Sequence, residues 1–120
     1  MIELQMGAVE SRFADIIWSE EPISSALLVK KSEAELAWKK STTFTVLKRL
    51  YDKGIFKSEK GIVTSIITRD EYYSMQSEKY VADNFDGSLP AFLTAFTARK
   101  TLTAEEVEQL RSMVAAYEEK

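Results

Sequence analysis

Apolar residues recur along this chain at spacings that change character as it proceeds. From Gly7 to Glu20, Val9, Phe13, Ile16 and Ile17 follow the i, i+4, i+7, i+8 order of a single helix face. Pro22 ends that helix, and Ser24 or Ser25 is placed to cap a second one, whose Ala26, Leu27, Leu28 and Leu36 are expected to face the core. A third helical pattern runs from Ser41 to Lys53, where Thr43, Val46, Leu47 and Leu50 line one side and Gly54 supplies the stop. The pattern then turns β-branched and aromatic through Ile55, Phe56, Ile62, Val63, Thr64, Ile66 and Ile67. Glu59-Lys60-Gly61 interrupts it as a glycine-containing turn, so a short β-hairpin is predicted.

Amphipathic helices close the chain. Thr68-Arg69-Asp70-Glu71 has the Thr-x-x-Glu form of a capping box, in which hydroxyl and carboxylate satisfy backbone amides at a helix start. It predicts a helix from about Asp70 to Phe85. Gly87 breaks it, and Leu89, Phe92, Leu93 and Phe96 repeat at i, i+3, i+4, i+7 to give a short fifth helix. Thr103-Ala104-Glu105-Glu106 is a second capping box, opening a last helix with Val107, Leu110, Val114 and Tyr117 on one face. No repeat, low-complexity tract or long linker intervenes, and the one boundary to draw lies near Arg69, separating residues 1–69 from residues 70–120.

Three helices followed by a hairpin is the element order of a winged helix-turn-helix. The expected fold is therefore mainly α with a small β-hairpin wing, joined to a C-terminal helical dimerisation region. Short helices without a sheet have little to bury against unless a second chain covers them. Tyr72, Tyr73, Tyr80 and Phe85 accordingly fit either packing within one subunit or an aromatic dimer interface.

Composition narrows the function. The 120 residues suffice for one domain, or one small domain with a helical extension, and 45% hydrophobic with 29% charged residues places the chain among folded rather than disordered proteins. No apolar run approaches the roughly 20 residues that cross a bilayer, and the N-terminus lacks a secretory pattern, so a cytoplasmic protein with no membrane partner is expected. Cysteine and histidine are both absent, which removes thiolate metal sites, cysteine nucleophiles and the commonest general base. No enzyme and no cofactor are expected. The acidic pairs Glu20-Glu21, Glu105-Glu106 and Glu118-Glu119 read as surface and capping residues.

Charge distribution says more than the net −3. Segment 30–60 holds nine basic residues, Lys30, Lys31, Lys39, Lys40, Lys48, Arg49, Lys53, Lys57 and Lys60, against four acidic ones, Glu33, Glu35, Asp52 and Glu59, a net of +5 that leaves −8 for the remainder. The outer face of the third helix carries Ser41, Thr42, Thr45, Lys48, Arg49 and Asp52, with Phe44 among them. A helix fits the major groove of B-DNA, hydroxyl and basic side chains reach base edges and phosphates, and a lysine-tipped hairpin can follow the neighbouring backbone. Ser41, Thr42 and Thr45 are expected to read bases and Lys40, Lys48 and Arg49 to hold phosphate, with Phe44 on the same surface and Lys57 and Lys60 on the wing. The short hydroxyl side chains favour an A·T-containing half-site. A rival reading, encouraged by Phe44 and the negative total charge, is a winged helix turned to protein binding without DNA.

Three stretches sharpen the choice: Ala14-Asp15-Ile16-Ile17-Trp18, Trp38-Lys39-Lys40-Ser41-Thr42, and Leu47-Lys48-Arg49-Leu50-Tyr51-Asp52-Lys53-Gly54. With Gly87-Ser88-Leu89, the Phe92 to Phe96 run and the segment from Leu102 to Arg111, they resemble the penicillinase-repressor family, the BlaI/MecI/CopY group of bacterial winged-helix repressors, over nearly the whole chain. The resemblance implies a homodimer on pseudo-palindromic double-stranded operator DNA, with the interface among Tyr73, Tyr80, Phe85, Leu89, Phe92, Leu93, Phe96, Leu110 and Val114. In members controlled by a sensor protease, repression ends by a cut in the fifth helix, which corresponds here to the Ala95-Phe96 bond. The chain departs from the family where Trp-Ser-Pro-Lys-Thr is replaced by Trp38-Lys39-Lys40-Ser41-Thr42, where a basic residue is replaced by Phe44, and where an Asn is replaced by Ala95. The hairpin is also shorter and lacks the family's aromatic near its second strand. Without cysteine the family's copper-sensing motif is missing.

Overall fold

A computed structural model describes residues 5–119. Helix α1 (Ala8–Glu20), strand β1 (Ile23–Ser24), helices α2 (Ser25–Leu36) and α3 (Lys40–Asp52), and strands β2 (Phe56–Glu59) and β3 (Ile62–Ser65) come first. Helices α4 (Arg69–Phe85), α5 (Leu89–Thr97) and α6 (Ala104–Glu118) follow. The chain forms two compact units that divide inside α4, after Glu78. That division falls later than the boundary expected at Arg69, because the first turns of α4 belong to the N-terminal unit. Tyr72 is buried in that unit's core, and Tyr73 and Met75 pack against it.

The core of the N-terminal unit joins Phe13, Ala14, Ile16 and Ile17 of α1 to Leu28 of α2 and Val46, Leu47 and Leu50 of α3, with Ile55, Phe56, Val63 and Ile67 beneath them. Three apolar positions depart from the expected pattern. Val9 is 50% exposed, since it sits in the first turn of α1, outside the packed cluster, while Ala14 takes up the buried stripe. Ala26 and Leu27 also face outward, and α2 buries Leu28 instead, with Leu36 partly covered. Ser24 caps α2, its side chain accepting from the Leu27 amide at 3.1 Å.

Strand β1 was not foreshadowed in the sequence. Its two residues pair antiparallel with β3, Ile23 opposite Val63 and Ser24 opposite Ile62, giving the sheet order β1-β3-β2. Lys60 and Gly61 connect β2 to β3 with φ of 52° and 78°. Two successive left-handed residues suit the twist of a tight hairpin, and glycine adopts that conformation without steric cost.

Side chains of α1 and of Glu21, the residue that follows it, tie the wing to the helices. The Trp18 indole Nε1 donates to the Ile67 carbonyl at 3.1 Å. The Glu21 carboxylate accepts from the Ser65 amide at 2.8 Å and from its hydroxyl at 2.8 and 2.9 Å. Arg69 Nε donates to Asp15 at 3.0 Å and its guanidinium lies 4.9 Å from the Tyr73 ring centre, fixing the start of α4. At the other end of α1, Glu10 pairs with Lys53, which closes α3.

Both capping boxes form. The Thr68 amide donates to Glu71 at 2.9 Å and the Glu71 amide to the Thr68 hydroxyl at 3.1 Å, and Thr103 and Glu106 repeat the exchange at 2.9 and 3.0 Å. These amides, followed by the threonine hydroxyls, hold both carboxyls below the ordinary glutamate value of 4.5. A folded-state pKa below the unfolded one gives stability that is fully present above about pH 4.5 and is lost as pH falls through the depressed values. Glutamine caps in the same way without a charge. The Glu71→Gln, Glu106→Gln protein should therefore lose less helicity between pH 5 and pH 2, about three pH units, than the parent in circular dichroism; equal acid profiles would contradict the role given to these carboxylates.

Helix α3 lacks such a cap. Lys39 holds the extended N-cap backbone, φ −73° and ψ 158°, but its side chain makes no capping hydrogen bond. Lys39→Ser should stabilise the unit by about 1 kcal/mol, a rise in Tm of about 4–8 °C. A thermal melt showing no gain would mean that the start of α3 is already satisfied.

Candidate nucleic-acid interface

Helix α3 owes its outward face to the stripe on its other side. Thr43, Val46, Leu47 and Leu50 are buried as the periodicity requires, so Lys40, Ser41, Thr42, Phe44, Thr45, Lys48 and Arg49 are exposed together. Gly54, with φ of 81°, ends the helix and releases the chain into the wing. Lys57 and Lys60 are exposed on the hairpin, whose Lys57 is paired across the strands with Thr64. Tyr51 connects the two parts. Its hydroxyl hydrogen-bonds the Ser58 side chain on β2, and burial raises its pKa more than that bond lowers it.

The basic side chains are not equivalent. Lys48 lies 3.9 Å from Asp52 and Lys57 lies 3.5 Å from Glu59, while Lys31 pairs with Glu20 at 3.3 Å and Lys53 with Glu10. Among the described residues no carboxylate pairs with Lys40, Arg49 or Lys60. The free positive charge is thus narrower than the basic segment from which it comes. The hydroxyls differ as well: Thr45 Oγ1 donates to the Ser41 carbonyl at 2.9 Å. Sequence spacing contained the Lys48–Asp52 pairing as an i, i+4 pair, but the ion pairs that join different helices, Lys31 with Glu20 and Lys53 with Glu10, needed the fold.

The second unit leaves apolar side chains uncovered. Neither α5 nor α6 contains a buried residue, and Tyr80, Leu89, Phe96, Val107, Met113, Val114 and Tyr117 are all exposed. Tyr80, Phe85, Phe92 and Phe96 form one aromatic cluster, with Phe85 and Phe92 edge to face at 5.6 Å. Phe92, Leu93, Phe96, Leu102, Leu110 and Met113 line an open apolar groove between α5 and α6. Tyr73 is placed elsewhere, against Trp18 and Tyr72 in the N-terminal unit. The Ala95-Phe96 bond lies inside the last turns of α5, whose backbone bonds include Ala98 to Ala95 at 3.3 Å, so a protease would first have to unwind them.

Among the described residues no helix is long and apolar enough to cross a membrane, and no group of three acidic residues is gathered in a way that could hold a metal ion. Comparison with known proteins bears on the whole arrangement. The chain is similar to the methicillin resistance regulatory protein MecI of Staphylococcus aureus (strain Mu50 / ATCC 700699), 21% identical over 114 residues that cover 92% of this chain and 93% of the relative. It is 20% identical to the protein of the same description from Mammaliicoccus sciuri over equal shares. It is 24% identical to the penicillinase repressor of Bacillus licheniformis over 110 residues, 88% of this chain and 86% of that one. A family profile described as Penicillinase repressor matches residues 6–116, taking in the head, the wing and the three closing helices, and the chain therefore belongs to the penicillinase repressor family.

Proposed function

We propose that the chain is a sequence-specific DNA-binding transcriptional repressor that acts as a homodimer on a pseudo-palindromic operator. The observation that carries this reading is the outward face of α3, where Ser41, Thr42, Phe44, Thr45 and Arg49 stand exposed on a helix seated over its own core. Lys40, Lys48, Lys57 and Lys60 flank that face and hold phosphate. The family relationship supports the repressor role: the relatives are described as a resistance regulator and a penicillinase repressor.

The uncovered apolar groups of the second unit support dimerisation, through Tyr80, Phe85, Leu89, Phe92, Leu93, Phe96, Leu110 and Val114. Two copies place two reading helices on half-sites about 34–36 Å apart, or a multiple of that. The reading involves no reaction and no cofactor. Release by a sensor protease at Ala95-Phe96 would separate the dimerising part from the head.

Fluorescence anisotropy against duplex DNA from the chain's own promoter tests the proposal. Arg49→Ala should weaken binding by about tenfold, uniformly across sequences, and lower the salt slope by about 1. Lys48→Ala should weaken it less, since Asp52 already shares that charge. Thr45→Ala should alter base preference more than affinity. Undetectable or salt-insensitive binding by the parent chain would sink the proposal and favour a protein-binding surface built on Phe44.

A further inference from the structure

The N-terminal half of α3 is short of hydrogen-bonding chemistry for a surface that reads sequence. Residues 40–52 contain neither Asn nor Gln, the side chains that grip adenine with two bonds, and Arg49, whose planar guanidinium can grip guanine in that way, lies in the last turns of the helix. Residues near the start of a reading helix are those that meet base edges in helix-turn-helix proteins. There, the Thr45 hydroxyl has turned back to donate to the Ser41 carbonyl at 2.9 Å, so this exposed side chain presents its methyl group and an acceptor oxygen. The hydroxyls of Ser41 and Thr42 tolerate several bases. One turn from Ser41 stands Phe44, 41% exposed on a face otherwise made of hydroxyl and charged groups. A single exposed apolar side chain is ordinary on a protein surface, but this ring stands next to the exposed Thr45 methyl group on the side of α3 turned away from the core.

Resting on the DNA-binding reading, we propose that Phe44 and the Thr45 methyl group form an apolar reader of thymine 5-methyl groups, with Phe44 the specificity-determining residue of the surface. Thymine alone of the four bases presents a methyl group in the major groove. Phe44 and Thr45 are adjacent in sequence and both exposed, so they offer carbon to neighbouring steps of the groove while Lys40, Lys48 and Arg49 hold the backbone. Tyr51 follows Phe44 by seven positions, two helical turns or about 10.5 Å along the axis. Phe44 therefore lies on the same side of α3 as Tyr51, whose hydroxyl bonds Ser58 of the wing.

The test uses the full chain and a duplex enriched by it from a random-sequence library. Each thymine of the enriched site is replaced in turn by uracil, which keeps the base pairing and removes only the methyl group. One thymine in each half-site should prove sensitive, its replacement weakening binding about fourfold, the worth of one buried methyl group. Changing both half-sites should weaken it about 15-fold by the same measure. Phe44→Ala should bind thymine and uracil duplexes alike with an unchanged salt slope. Phe44→Lys, which adds a phosphate contact and so keeps affinity measurable, should also ignore the methyl group while steepening the salt dependence. Uracil without effect at every position, or a Phe44→Ala protein as sensitive as the parent, would overturn the methyl reader and leave DNA binding standing. Enrichment of no duplex would overturn both.

Discussion

Phe13→Ala is expected to lower the melting temperature of the N-terminal unit by about 15 °C or more. The Phe13 side chain is fully buried among α1, α2 and α3, and its ring lies 5.1 Å from that of Trp38. Truncating a buried phenylalanine costs about 3–5 kcal/mol, since the lost apolar burial is joined by the cavity left behind. A domain of this size commonly holds only about 4–11 kcal/mol in total. The removed ring also underlies α3, so operator affinity should fall with the folded fraction rather than through any lost contact to DNA. Thermal melts followed by circular dichroism decide the matter, and a loss of less than about 5 °C would show that the three helices repack around the gap.

The second large effect belongs to the closing helices. Met113 and Val114 of α6 are 61% and 59% exposed, and Glu at both should leave the subunit folded while preventing two copies from joining. Burying four carboxylates in an apolar interface would leave unpaired charges, each costing several kcal/mol. Affinity for a two-half-site operator should then drop by about 10²–10⁴, because the second half-site is no longer held at high effective concentration. Affinity for an isolated half-site should be unchanged. Sedimentation together with anisotropy on both duplexes separates these outcomes; a variant that remains dimeric would place the interface elsewhere.

Most of the elements were legible because the signals that define them are local. Thr43, Val46, Leu47 and Leu50 mark α3 by period alone, and each Thr-x-x-Glu box announces a helix start within four residues. What escaped was set by distant parts of the chain. Strand β1 is two residues long and exists through its pairing with β3, so no alternation could reveal it. Val9 and Leu27 follow the helical period yet face outward, because which part of a stripe is covered depends on what packs over it. The division within α4 has the same origin, for Tyr72 is claimed by a core built from earlier residues. At the candidate interface the exposed face was readable as a pattern. The turning back of Thr45 onto Ser41 and the pairing of Lys57 with Glu59 depend on side-chain geometry that residue types alone do not specify.

Trp18 and Trp38, the two tryptophans of the chain, both pack against core aromatics of the N-terminal unit: Trp38 against Phe13, and Trp18 against Phe56 and Tyr72. The second unit has none. Indole emission excited at long wavelength is therefore a private optical channel for the reading head, blind to melting of the closing helices, whereas far-ultraviolet ellipticity sums over both. Recording the two signals on one sample would tell whether the halves of this chain come apart in one step or in sequence.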